Sequence, residues 1–106
     1  MDGLPKKMDF GPLIGRFIEV LRISKYQVHY FLNDDKTNIH IEIGSTIIFI
    51  SSDGKVTRIE DFREGGGLLC SLLGLTIKNA SRREDGGLIL DFSSDNRLEV
   101  PNETSK

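Results

Sequence analysis

Short runs of alternating apolar and polar residues fill most of this chain, separated by clusters of turn formers, and each run reads as a β-strand. Residues 16–24 (RFIEVLRIS) put Phe17, Glu19, Leu21 and Ile23 on one face and Ile18, Val20 and Arg22 on the other. Apolar groups therefore stand on both faces, which predicts a central strand covered on much of both sides. Residues 27–32 and 38–43 flank a polar cluster at 33–37, the signal of a hairpin, with Ile39, Ile41 and Ile43 inward and His40 and Glu42 outward. Residues 46–51 and 55–59 flank Ser52-Asp53-Gly54, where Asp-Gly supplies a tight turn. Three further strands are expected at 75–81, 88–92 and 97–100, before Pro101 removes a backbone donor and ends the pairing.

Helical signals are few. Pro12 opens a single turn that ends at Gly15. Leu68, Leu69, Leu72 and Leu73 repeat at the spacing of a short amphipathic helix, which would cap an open side of the core and stop at Gly74. Between the two halves, residues 61–67 (DFREGGG) end in three glycines whose backbone entropy predicts a linker or hinge.

The pattern repeats itself. Leu13-Ile14-Gly15 recurs as Leu72-Leu73-Gly74, and apolar positions follow each copy at matching intervals. Ile18 aligns with Ile77, Phe31 with Phe92, Ile39 with Leu98 and Ile41 with Val100, given a two-residue slip before Phe92 that is recovered in the next turn. This alignment puts His29 and Phe31 inward on the second strand, whereas hydrophobicity prefers Val28, Tyr30 and Leu32; the second criterion is preferred. One mainly β (α+β) domain over 1–106 is expected, a curled antiparallel sheet or half-barrel of about seven strands with one short helix. Its parts are a β-unit at 13–43, an inserted hairpin at 46–59, a linker and helix at 60–74, and a second β-unit at 72–101.

Composition narrows the class further. With 38% apolar and 28% charged residues the chain is too hydrophobic for disorder, and 106 residues suffice for a self-supporting core. Cys70 has no partner for a bridge and sits among leucines, which predicts a buried small hydrophobe and a reducing, cytoplasmic setting. No apolar run is long enough to span a membrane or to serve as a signal peptide. The net charge of −2 argues against nonspecific phosphate or nucleic-acid binding and is compatible with a basic protein partner.

Chemistry-bearing constellations are weak. His29, His40 and Glu42 could offer two imidazoles and a carboxylate to a metal, but the face of His29 hangs on an unfixed register and a fourth ligand is missing, so exposed histidines and no metal are expected. Gly65-Gly66-Gly67 lacks the Lys-Ser/Thr of a phosphate loop, and no nucleophile elbow exists, so neither a cofactor nor enzymatic activity is expected. Asp34, Asp53 and Asp95 serve turns, while Asp91 and Glu99 should project from the outer face of neighbouring strands as an acidic docking patch.

The combination of Leu13-Ile14-Gly15-Arg16, Phe31 followed by Asn33-Asp34-Asp35, Leu72-Leu73-Gly74, Phe92-Ser93-Ser94-Asp95 and Leu98-Glu99-Val100-Pro101 resembles an uncharacterised family of small bacterial domains, which carries no catalytic residues to transfer. In size and charge the chain is also similar to immunity proteins of bacterial competition, which neutralise a toxin by binding it. That resemblance implies a protein-binding module that occludes a basic, nuclease-type toxin through Asp34, Asp35, Asp53, Glu60, Asp61, Asp91 and Glu99, with Tyr26 and Phe62 as exposed anchors. The alternative is a small-ligand-binding or regulatory β-domain with an apolar site beneath the 68–73 helix. Pairing of two copies through an edge strand is compatible with either.

Overall fold

A computed structural model describes residue 4, residues 7–33 and residues 38–102. It is mainly β, with eight strands among the described residues against the seven or so expected: β1 (Phe17–Ile23), β2 (Val28–Asn33), β3 (Asn38–Ile43), β4 (Ile47–Ile50), β5 (Val56–Ile59), β6 (Ile77–Arg82), β7 (Leu88–Phe92) and β8 (Arg97–Val100). A 3₁₀ turn at Gly11–Leu13 and a short helix α1 (Gly66–Cys70) complete it. Every strand pairing is antiparallel, in two sheets ordered β1-β2-β3 and β5-β4-β8-β7-β6, and neither sheet closes into a barrel.

The repeat is visible as geometry. Each unit is a three-stranded meander, β1-β2-β3 and β6-β7-β8, and the two meet where Phe17 bridges Thr76. Gly15 N–H donates to Ile77 O and Gly74 N–H to Ile18 O, both at 2.8 Å; Ile77 N–H donates to Arg16 O (2.8 Å) and Ile18 N–H to Leu75 O (3.1 Å). Exchanging each residue for its counterpart 59 positions away (Gly15 for Gly74, Ile18 for Ile77) maps this bond set onto itself, so a pseudo-twofold axis passes through the Phe17–Thr76 bridge. Gly15 and Gly74 both have positive φ, 89° and 80°, which explains why the motif ends in glycine in each copy. Even the irregularity is shared: β1 bulges at Glu19 and β6 at its counterpart Lys78.

That bulge overturns the expected faces of β1. An extra residue between Ile18 and Val20 reverses the alternation, so Ile18 faces the core while Phe17, Val20 and Arg22 all face outward. Val20 is 43% exposed and Phe17 38%, and this strand is covered on one side only. Register also corrects the copy alignment. Tyr30 pairs with Leu21 and Leu90 with Ala80, which makes Leu32, not Phe31, the counterpart of Phe92. In the third strands, Ile41 and Ile43 correspond to Leu98 and Val100. Hydrophobicity chose the inward set on β2 correctly: Val28, Tyr30 and Leu32 are buried.

The insertion behaves as a graft. Hairpin β4–β5 follows directly on the first unit in sequence yet docks on the second unit, with Phe49 opposite Leu98 on β8. Its Ser52-Asp53-Gly54 loop is a turn closed by Gly54 N–H to Ser51 O (2.8 Å), with positive φ at Gly54 alone. One cluster unites the parts: Ile18, Tyr30 and Leu32 from the first unit, Ile47, Phe49 and Ile59 from the graft, and Leu90, Phe92 and Leu98 from the second unit.

The segment between the halves departs from expectation. Gly65 is buried, and a Cβ there would stand 2.4 Å from Ile59 Cγ2, so this glycine permits close packing where a hinge was expected. The helix starts earlier than the leucine spacing predicts and ends at Cys70. Leu69 and Leu72 are fully buried while Leu73 is 44% exposed, and the space beneath the helix expected to hold a ligand contains these leucines and Tyr30. Burial holds the Tyr30 hydroxyl well above its ordinary pKa. Cys70 is exposed, because one step after the buried Leu69 it is turned about 100° around α1, out of the core.

Candidate functional site

The pseudo-twofold lets the two units serve as internal controls for one another. Six outward positions of the first unit (Val20, Arg22, His29, Phe31, His40, Glu42) correspond by register to Asn79, Ser81, Ile89, Asp91, Arg97 and Glu99 of the second. Both sets occupy equivalent positions of the same meander, so strand pairing alone does not dictate the differences between them.

In the second unit the face is a closed charge ladder. Arg97, opposite Asp91 in register, donates from Nε to Asp91 Oδ1 at 2.7 Å and stands 3.5 Å from Glu99 Oε2. Arg83 reaches Glu99 Oε1 at 2.9 Å and Asp85 Oδ1 at 3.3 Å. Asp91 and Glu99 do project outward as the sequence implies, but their charges are matched, and their side chains are less than one-fifth exposed. Alternation reveals the acids; the arginine supplied by the 83–87 turn is invisible to it.

The remaining expected contact residues scatter. Asp53 accepts from the Ser51 hydroxyl and from Lys55 N–H (3.1 Å), and these bonds hold its carboxyl below the usual range. Asp61 is held down by the Arg63 guanidinium, 3.0 Å away, and Glu60 pairs with Arg58 at 2.6 Å. Glu60 and Asp61 line an open cleft of about 220 Å³ beside Gly65 and Leu68. Tyr26, in the β1–β2 connection, is 71% exposed with the Lys25 ammonium 5.2 Å from its ring centroid. Phe62, expected as an exposed anchor, is instead a core residue at 4% exposure: the chain turns at Asp61 and drives the ring inward. Asp34 and Asp35 lie outside the described residues.

On the first unit the corresponding face is open and of different chemistry. Phe31 and His40 stack with ring centroids 4.7 Å apart and planes 4° from parallel, whereas His40 meets His29 edge to edge, the planes 13° apart and His40 Nε2 2.7 Å from His29 Nδ1. The Arg22 guanidinium lies over the Phe31 ring, 5.5 Å from its centroid. Gln27 donates from Nε2 to Glu42 Oε2 (2.6 Å), and its Oε1 stands 3.1 Å from His29 Nε2. Phe17 and Val20 extend this face along β1 toward the junction, where Ile14 and its counterpart Leu73 are 45% and 44% exposed. The bulge creates much of this apolar surface, and strict alternation conceals it.

Backbone edges differ as well. In the second unit β8 is covered by β4, whereas among the described residues no strand pairs with the outer edge of β3, its counterpart. Among those residues, too, no helix is long and apolar enough to cross a membrane. No protein-family model, no curated protein and no solved structure matches the chain.

Proposed function

We propose that the chain is a stoichiometric protein-binding module whose contact surface is the outer face of the first unit, together with the outer edge of β3, which no described strand pairs. The observation that carries this reading is the asymmetry of the two units. Where the second unit neutralises its outer face with ion pairs and covers its last strand, the first unit exposes Phe17, Val20 and Ile14 beside Arg22, Phe31 and His40. Aromatic and arginine side chains on a preorganised sheet are the residue types that dominate contact energies, and an uncovered strand edge offers a row of backbone donors and acceptors.

In its most specific form the reading is an immunity protein that occludes a basic, nuclease-type toxin in the cytoplasm. The exposed carboxylates Asp53, Glu60 and Asp61 would then steer encounter, while apolar contacts set the lifetime of the complex. The ion pairs of Glu60 with Arg58 and of Asp61 with Arg63, and the turn bonds of Asp53, assign them the lesser role.

The test is a photo-crosslinking amino acid placed at Phe17 or Val20, with exposed Lys55 as the control position. In cells that make the natural neighbours of this chain, a single adduct of one-to-one stoichiometry is expected from the first two positions and none from Lys55. A captured partner that is basic and arrests growth when made alone supports the immunity form. Adducts from Lys55 alone, or none from any position, would overturn the assignment.

A further inference from the structure

His29 on β2 and His40 on β3 share the outward face, and Glu42 is directly opposite His29 in register. Strand register fixes the direction of His29, because Phe31 pairs with His40 and His29 with Glu42. One ligand atom from each of the three side chains lies within 4.8 Å of the others. We propose that His29, His40 and Glu42 form a binding site for a borderline divalent transition ion, zinc foremost. The proposal is independent of the partner-binding reading.

Proton bookkeeping favours it. Gln27 gives its amide N–H to Glu42 Oε2, which turns its carbonyl toward His29 Nε2 at 3.1 Å. His29 therefore carries its proton on Nε2 and presents the lone pair of Nδ1. A metal-ligating histidine is held in this manner, its second nitrogen donating to a fixed acceptor. That Nδ1 faces His40 Nε2 at 2.7 Å, so His40 supplies the bridging proton in the ion-free protein. An ion takes the place of that proton when neutral His40 shifts it from Nε2 to Nδ1, with no net release. Glu42 keeps Oε2 on Gln27 and offers Oε1.

The distances are close to those required. Two nitrogens on a tetrahedral zinc, each at about 2.05 Å, lie roughly 3.4 Å apart. Opening the pair from 2.7 Å needs a shift of about 0.7 Å, within reach of side-chain rotation. Phe31 stacked against His40 restrains the ring plane, and Arg22, the cation opposite His29, is drawn over Phe31. Two imidazoles and one carboxylate select zinc, nickel or copper over magnesium or calcium and leave a fourth position for water. The second unit has Ile89 and Arg97 where these histidines stand, so the fold itself does not call for them.

The experiment is titration of the full chain, stripped with chelator, with zinc chloride, read by calorimetry and by imidazole ¹⁵N NMR shifts. One equivalent is expected to bind, shifting the His29 and His40 resonances, while magnesium chloride produces no change. His29→Ala and His40→Ala should each weaken binding by at least about 10-fold, and Gln27→Leu by about 10- to 100-fold through loss of orientation alone. Thermal melts of the ion-free variants check that each is folded. No zinc uptake at millimolar concentration, or uptake that survives both histidine changes but is lost in Cys70→Ser, would overturn the proposal.

Discussion

Gly87→Ala tests the packing of the second unit's β6–β7 turn against β8 with a single added methyl group. Gly87 is buried at the end of the β6–β7 turn, and an ideal Cβ there would lie 2.0 Å from the Val100 carbonyl oxygen and 3.0 Å from its carbon. Ordinary contact starts near 3.4 Å, so the overlap is about 1.4 Å, and its target is main chain. No rotamer relieves it. Val100 pairs with Leu88 and Glu99 with Ile89, so the end of the β7–β8 ladder must open. Overpacking costs about 1–3 kcal/mol and a lost ladder bond about 1 kcal/mol more, which together suggest about 3 kcal/mol. At ~4 °C or more per kcal/mol for a domain of this size, Tm should fall by about 12 °C or more, read by far-UV circular dichroism. Two other glycines calibrate the scale. Gly54→Ala meets no neighbour but must hold φ at +92°, costing about 1–2 kcal/mol, whereas Gly67→Ala meets none inside α1 and should stabilise by up to about 1 kcal/mol. A Gly87→Ala protein within about 1 kcal/mol of the parent would refute the steric argument.

Other consequences are simpler to check. Because Cys70 is exposed, a thiol reagent such as Ellman's should titrate it fully in the native protein, and protection until denaturation would contradict the placement of α1. Asp85 is partly desolvated, which raises its pKa, but the N–H groups of Gly87 and Asn102 and the Arg83 guanidinium outweigh that and leave it depressed below 3.8. Its stabilising effect is then complete above that value and lost as pH falls through the lower folded value. Asp85→Asn should therefore lower urea resistance at pH 7 and reduce the difference between parent and variant near pH 2; an unchanged difference would contradict the linkage. Leu69→Ala should cost about 2–5 kcal/mol in urea denaturation, since its side chain is fully buried beneath the helix, and a smaller loss would place it outside the core.

Much of the fold was legible because strand alternation and turn chemistry are local. Pro12, Asp53-Gly54 and the inward faces of β2 and β3 followed from neighbours in sequence. The duplication was legible from Leu-Ile-Gly and Leu-Leu-Gly, but its register was not. Phe31 looked like the match for Phe92 because both are phenylalanine, while the pleat puts one outside and the other inside. The bulge at Glu19 defeats any period-two reading of β1, and it is what exposes Val20. Likewise the triple glycine reads as slack until Ile59 is found against Gly65. At the candidate site, His40 and Glu42 were visible as a pair, but His29 and Gln27 joined them only once β2 was registered against β3. Asp91 and Glu99 lie on the outer face that alternation gives them, but their pairing with Arg97 and Arg83 was not legible, because those arginines are on the adjoining strand or distant in sequence.

If the first unit's outer face binds the partner, its twin serves only to hold the fold. Transplanting the second unit's residues onto it tests this directly: Val20→Asn, Arg22→Ser, His29→Ile, Phe31→Asp and His40→Arg in one variant, Glu42 already matching Glu99. A crosslinking group at Phe17 reports binding, and a thermal melt reports folding. The expected result is a folded variant in which the Phe17 adduct is lost; a folded variant that captures its partner as before would place the binding surface elsewhere.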